Sequence, residues 1–256
     1  MLTVISPAKA LDLSPVTTST TRPAWQDDAT YLAGLMQKKS VDEIRKMMDL
    51  SEDLAQLNRD RFLAFASAPT PDVEKPAIFT FNGDTYQGFD APTLDAQALS
   101  YAQGHLRILS GLYGMLRPLD AIQPYRLEMG RRLQTSRGTT LYAYWGDRIA
   151  RALNDQAEEM GTEFLIDCAS QEYFKVIDRK ALQLMVITPT FLEIKNNVGK
   201  TVSFYAKRAR GAMARFVVEN RITDPADLRA FNVGGYKWDP ASQPGKPVFT
   251  RPSPTA

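Results

Sequence analysis

Met1-Leu2-Thr3-Val4-Ile5-Ser6-Pro7-Ala8-Lys9 reads as a short buried strand that runs straight into a polar loop. A compact apolar run closed by turn residues is what a strand inside a covered sheet looks like. The same form recurs twice. Residues 77–81 (Ala-Ile-Phe-Thr-Phe) run into Asn82-Gly83-Asp84, and residues 164–167 (Phe-Leu-Ile-Asp) precede Ser170, Glu172 and Lys175. Helical stretches separate them. Residues 27–65 read as helices, and residues 94–109 as another, with Leu99, Ala102, Leu106 and Leu109 down one side until Gly111 and Gly114 break it. Residues 141–160 make a further helix, and Ser170 is placed to cap the one that carries Glu172 and Lys175. Phe191-Leu192-Glu193-Ile194 and Thr201-Val202-Ser203-Phe204-Tyr205 flank a hairpin turn at Asn196-Asn197-Val198-Gly199. Tyr236-Lys237-Trp238 and Pro247-Val248-Phe249 fit an edge hairpin. The expected architecture is one mixed α/β domain over residues 1–250, a central mixed sheet flanked by helices, followed by a loose Pro-rich tail at 251–256.

Composition narrows the chemistry. The 256 residues are 44% hydrophobic with a mean hydropathy of −0.29, and no apolar run approaches the ~18–20 residues of a membrane span. The first residues lack a basic leader segment, so a cytoplasmic protein with no membrane partner is expected. A single cysteine, Cys168, excludes an internal disulfide framework, and a single histidine, His105, excludes His- and Cys-rich metal motifs. No cofactor and no metal are expected. The net charge of +2 is unevenly spread. Residues 1–100 hold 9 Lys and Arg against 14 Asp and Glu, whereas residues 101–256 hold 22 against 15. A positive half opposed to a negative half suits orientation on a polyanion.

If the three strands are parallel neighbours, their ends meet at the carboxyl edge of one sheet, where open α/β folds bind ligands. That edge would gather Lys9, Asp84, Glu172 and Lys175, the candidates for any catalytic role. The plain alternative is that Asn82-Gly83-Asp84 is only a turn and Ser170 only a cap.

Residues 203–215 (Ser-Phe-Tyr-Ala-Lys-Arg-Ala-Arg-Gly-Ala-Met-Ala-Arg) carry the densest positive charge. At about 100° per residue, Lys207, Arg208, Arg210, Arg215 and Arg221 share one helix face with Gly211 among them. Tyr205, Ala209, Ala212, Met213, Phe216 and Val217 take the opposite face, while Val218 and Ile222 break the division. The reading is a cationic stripe with a bare backbone spot at Gly211, on a helix that starts near Ala206 at a strand end. A second phosphate cradle is Gly111 and Gly114, flanked by Arg107, Arg117 and Arg126, although a helix end and tight turn explain the glycines equally well. Residues 41–62 have the outline of a helix-hairpin-helix. Leu50 and Ala55 fit that pattern, but Asp49 and Ser51 stand where its two glycines would expose backbone amides to phosphate. His105 and Cys168 have no partner nearby in sequence and read as packed side chains.

These segments together resemble the YaaA peroxide-stress family. The resemblance rests on Ile5-Ser6-Pro7-Ala8-Lys9, Phe81-Asn82-Gly83-Asp84-Thr85-Tyr86, Leu109-Ser110-Gly111-Leu112-Tyr113-Gly114, Leu116-Arg117-Pro118-Leu119-Asp120 and Pro124-Tyr125-Arg126-Leu127-Glu128-Met129-Gly130. It continues through Tyr144-Trp145-Gly146-Asp147, Glu172-Tyr173-Phe174-Lys175 and the 203–211 stretch, in order, to about residue 239. It implies a cytoplasmic bacterial protein that protects against hydrogen peroxide, is associated with lower unincorporated iron, and binds DNA. It also implies a family-specific α/β fold with a positive cleft and a helix-hairpin-helix element. No catalytic residue is carried over. Two expectations follow. One is a protein that grips double-stranded or structured DNA by its phosphates, without reading sequence, and limits iron damage indirectly. The other is an enzyme acting on a nucleotide, nucleobase or other phosphorylated small ligand held in an enclosed strand-end pocket.

Overall fold

The computed structural model describes residues 1–253. Five strands form the first sheet: β1 (Leu2–Ile5), β2 (Leu106–Ser110), β3 (Gly114–Leu116), β4 (Phe164–Cys168) and β5 (Met185–Ile187), in the order β3-β2-β1-β4-β5. β1 is central and parallel to both neighbours, so Ile5 lies beside Ile108 and Cys168; only the edge strand β3 is antiparallel. Every residue of β1 is buried, as expected for a strand covered on both faces.

A second sheet has β6 (Thr190–Lys195), β7 (Val198–Lys200), β8 (Lys237–Trp238) and β9 (Val248–Pro252) in the order β7-β6-β9-β8. Asn196 and Asn197, both at positive φ (52° and 59°), make the two-residue turn between β6 and β7. The edge hairpin of β8 with β9 matches expectation. The tail does not begin at Arg251, however. Arg251 and Pro252 extend β9, and the Ser253 N–H donates to the Ile194 carbonyl at 2.9 Å. Arg251 is fastened by Glu193, a buried carboxylate that accepts from its Nε at 2.8 Å and from the Tyr236 hydroxyl. Residues 254–256 of the expected loose tail lie outside the described residues.

Helices α1 (Gln26–Gln37), α2 (Val41–Met48) and α3 (Glu52–Ala64) form one group. They are followed by α4 (Asp84–Phe89), α5 (Ala96–His105), α6 (Leu141–Trp145), α7 (Arg148–Glu159), α8 (Gln171–Phe174) and α9 (Ser203–Glu219). α9 is the central brace, touching β1 and β4 of the first sheet and β6 of the second. One apolar cluster runs from Leu2 and Ile108 through Met213 and Val217 to Phe191 and Phe249.

Four expected elements differ, the first being residues 141–160, which form two helices, α6 and α7, parted at Gly146 (φ 53°), and not one. Residues 77–81 are not a strand of the main sheet: Ala77–Thr80 is one helical turn, and Phe81–Asn82 pairs antiparallel with Ala10–Leu11. The parallel neighbour of β1 on the side away from β4 is β2, whose residues continue the helical spacing of α5 but leave the helix at Leu106. α9 starts at Ser203, so residues 203–205 are its first turn and not a strand. The 41–62 segment does fold as two helices joined by Asp49-Leu50-Ser51, with Asp49 left-handed (φ 53°). Its tip carries Asp49, Glu52 and Asp53, all exposed, and the Ser51 hydroxyl accepts the Leu54 amide at 3.4 Å. That charge repels phosphate, and one of the amides a phosphate would use is already engaged.

Candidate functional site

The loops at the carboxyl edge of β1 and β4 are tied together by their serines. Ser6 Oγ accepts the Ser170 N–H at 2.8 Å and lies 3.3 Å from Ser170 Oγ, and the Ser6 carbonyl accepts the Tyr86 hydroxyl of α4 at 3.1 Å. A Cβ on Gly83 would sit 3.1 Å from the Ala8 Cβ, so the turn that starts α4 packs directly on the Lys9 loop. Asp84 follows, with a carboxylate oxygen 4.0 Å from Lys207 Nζ on α9.

The centre of this edge is Glu128, whose side chain is only 5% exposed. Its Oε1 accepts from Arg126 Nη2 at 2.9 Å and Nε at 3.1 Å and lies 3.8 Å from Lys9 Nζ. Its Oε2 faces Arg131 Nε at 3.8 Å and, among the described residues, accepts no hydrogen bond. Sequence reasoning passed over Glu128. The available signal was its i, i+2 spacing from Arg126, which places both side chains on one side of an extended segment. Glu172 is occupied with architecture: its Oε1 accepts the Gly130 N–H at 2.9 Å and its carbonyl accepts the Tyr142 hydroxyl at 2.8 Å. Lys175 lies 5.3 Å from the centre of the Tyr142 ring.

The four catalytic candidates therefore engage four different partners: Lys9 with Glu128, Asp84 with Lys207, Glu172 with Gly130, and Lys175 with Tyr142. The cavity between Lys9, Tyr125, Arg126, Glu128 and Tyr173 has a volume of about 10 Å³. That holds about one water. Ser110 Oγ sits 2.6 Å from the Tyr125 hydroxyl, and burial pushes the phenols of Tyr86, Tyr125 and Tyr173 upward. Cys168 is buried and its thiol is likewise pushed up, so it is a poor nucleophile. His105 stacks on Tyr101 at 3.6 Å between ring centres, and burial lowers its pKa.

The phosphate-binding candidates divide sharply. Lys9, Lys175, Lys207 and Arg208 are exposed. Arg126 and Arg210 are half-buried at the same edge. Arg107 is 2% exposed, with its guanidinium given to the Gln103 and Leu106 carbonyls and to Gln156, and burial brings its pKa down to about 10. It has no surface to offer. Arg117 is clamped to Asp120, and Arg215 donates to the Phe89 and Asp90 carbonyls at the end of α4. Gly111 packs against the Leu127 carbonyl, and Gly114, at φ +69°, packs between Trp25 and Trp145; neither presents an amide to solvent. Gly211 is buried as well, against Thr85 of α4, so the cationic face of α9 is divided by a packed seam and is not a continuous stripe.

Asp167, at the end of β4, was also missed. Burial raises its carboxyl to about 7, against a hydrogen bond from the Ala169 N–H and the nearby charges of Arg210 and Arg179. An unfolded aspartate titrates near ~3.9. Between these values the folded state holds the proton more tightly, so the contribution of Asp167 to stability is full below about pH 4 and is lost as pH rises through about 7. Asp167→Asn is expected to flatten that fall and to melt higher than the parent at pH 8. Thermal unfolding from pH 4 to 8 measures it, and an unchanged slope would refute the assignment.

Fold and edge together define a class: an α/β protein with two main sheets, whose central parallel strands run into polar loops with exposed lysines. The chain belongs to the YaaA peroxide-stress family, since a family profile described as "Peroxide stress protein YaaA" matches residues 1–242. A UPF0246 protein of Ruegeria pomeroyi is 58% identical over 253 residues, covering 98% of this chain and 99% of its own. Another from Roseobacter denitrificans is 56% identical with both chains fully covered, and one from Phenylobacterium zucineum is 50% identical over 257 residues, 99% of this chain and 96% of its own. No helix of the described residues is long and apolar enough to cross a membrane.

Proposed function

We propose that this peroxide-stress protein binds DNA through its phosphates, across the open carboxyl edge of the first sheet. The observation that carries the reading is the pairing of exposed cations with almost no enclosed volume between Lys9 and Glu128. Lys9, Lys175, Lys207 and Arg208 are exposed, and the cavity that Lys9 lines is only about 10 Å³, whereas small-molecule sites enclose roughly 300–1,000 Å³. Lys175 borders a separate, open cavity of about 410 Å³ with Tyr142 and Phe174. A nucleotide cannot enter the cavity between Lys9 and Glu128, whereas a polyanion can pass over the exposed cations. This counts against the enclosed phosphorylated-ligand enzyme. The acidic tip between α2 and α3 takes no part in phosphate contact.

A lysine on a phosphate displaces the cation condensed there. Ferrous ion is one such cation, so DNA coverage moves Fenton chemistry off the backbone and limits iron damage without the protein holding iron. The triple variant Lys9→Gln, Lys207→Gln, Arg208→Gln is expected to weaken binding to unrelated duplexes alike. Its salt slope should be shallower by about 0.9 for each lost phosphate contact. Fluorescence anisotropy against salt measures both, and plasmid nicking by ferrous ion and peroxide should be suppressed by the parent but not the variant. Unchanged affinity at low salt would end the proposal.

A further inference from the structure

Residues 122–128 border two cavities. Tyr125 to Glu128 line the small one at the strand ends, and Ile122 to Pro124 line a second cavity of about 770 Å³. Its volume falls within the ~300–1,000 Å³ range of small-molecule sites. Three large apolar side chains that the fold leaves exposed, Leu13, Val16 and Val73, all lie on its walls. Isolated exposed apolar residues need no explanation, but three that converge on one cavity make an apolar surface suited to a ligand. Pro15, Pro71, Pro76 and Pro124 add to these walls; each lacks an N–H and has a fixed φ, so the walls are stiff and present few donors.

The polar groups on those walls are mostly used up. The Gln123 amide exchanges both of its hydrogen bonds with the Ala66 backbone at 2.8 Å, and Lys75 Nζ donates to the Asp12 carbonyl at 2.8 Å with an Asp12 carboxylate oxygen at 3.3 Å. Arg61 differs. It projects from α3, is half-buried, and among the described residues has neither a hydrogen bond nor an ion pair. Burial lowers its pKa, and the neighbouring charge that acts on it is a like one, Arg126. A partly desolvated guanidinium without a carboxylate is costly unless an anion joins it. Glu74, on the same walls, is also unpaired among the described residues, and burial pushes its carboxyl up.

We propose that this cavity binds a small amphipathic acid, with its carboxylate on Arg61 and its apolar body on Leu13, Val16 and Val73. A guanidinium takes a carboxylate in bidentate geometry. A carboxylate there supplies the counter-charge that Arg126 cannot, and the body removes the three exposed side chains from water.

The test titrates the full chain by calorimetry with decanoate and with decanol, which share an apolar body and differ in charge. Decanoate is expected to saturate one site, and decanol to bind about tenfold more weakly or worse. Arg61→Gln should abolish the preference for decanoate. Glu74→Gln should tighten decanoate by removing a repelling carboxylate and leave decanol unchanged. Val16→Glu, at an exposed position where folding is not at stake, should weaken both probes. Equal binding of the two probes, unaltered decanoate binding by Arg61→Gln, or a concentration-dependent dimer that excludes decanoate would each overturn the assignment.

Discussion

Gly211→Ala is expected to lower the stability of the chain by about 3 kcal/mol, which is about 10 °C in melting temperature for a chain of this length. A Cβ built on Gly211 would lie 1.8 Å from the Thr85 carbonyl oxygen and 2.8 Å from the Phe89 nitrogen. On the other side of the same contact, a Cβ on Gly88 would lie 2.0 Å from the Arg208 carbonyl oxygen. Each glycine meets backbone and not a flexible side chain, so only a shift of α4 against α9 can make room. That shift would also move Asp84 away from Lys207 and the first turn of α4 away from Ala8. A control is available inside α1. Gly34 has nothing within 4 Å of its would-be Cβ, so Gly34→Ala should stabilise by about 0.5–1 kcal/mol through helix propensity alone. The same chemical change then has opposite signs at two helical sites. Denaturant unfolding of both variants decides it; a Gly211→Ala change within 0.5 kcal/mol of zero would mean that the two helices do not interlock.

That contact also explains how far the sequence could be read. β1 and β4 were legible because a short apolar run closed by turn residues has few alternatives. β2 was not: Leu99, Ala102, Leu106 and Leu109 keep helical spacing across the junction, and only pairing with β1 selects the strand. The first turn of α9 has the opposite problem. Thr201 to Tyr205 favour a strand locally, yet the β6–β7 hairpin ends at Lys200, and Ser203 to Tyr205 extend by one largely exposed turn a helix whose buried positions begin at Ala206.

The site was half legible for a related reason. Loop residues after buried strands were identified, and Lys9, Glu172 and Lys175 do border one edge. What a helical wheel cannot display is the neighbour of each cation. Gly211, Ala214 and Val218 are buried on the side assigned to the cations because α9 is packed on two sides. Arg107 and Arg215 look the same as Arg208 in sequence, but the fold spends them on backbone carbonyls. Glu128 and Asp167 escaped notice because a lone acid in an apolar run has no local pattern. Their importance comes from which cations the fold brings to them.

Glu128→Gln is expected to act in two directions at once. Removing the charge leaves Arg126, with a side chain 13% exposed, without its carboxylate. Stranding a buried charge costs about 3–5 kcal/mol. Lys9, two-thirds exposed, and Arg131 can turn to water, so the loss should fall at the lower end, about 3 kcal/mol. On the proposed reading the same change frees three cations at the edge that meets phosphate. DNA affinity should therefore rise, with a salt slope steeper by up to about 0.9 for each additional phosphate contact. Because a ligand stabilises the state it binds, saturating duplex should restore much of the lost melting temperature, and more in the variant than in the parent. A purely structural role for Glu128 gives the first effect without the second. If the variant were as stable as the parent, the ion-pair cluster would not be holding this loop. If it were less stable and also bound DNA more weakly, the carboxylate would be arranging the rim and not competing with phosphate for it.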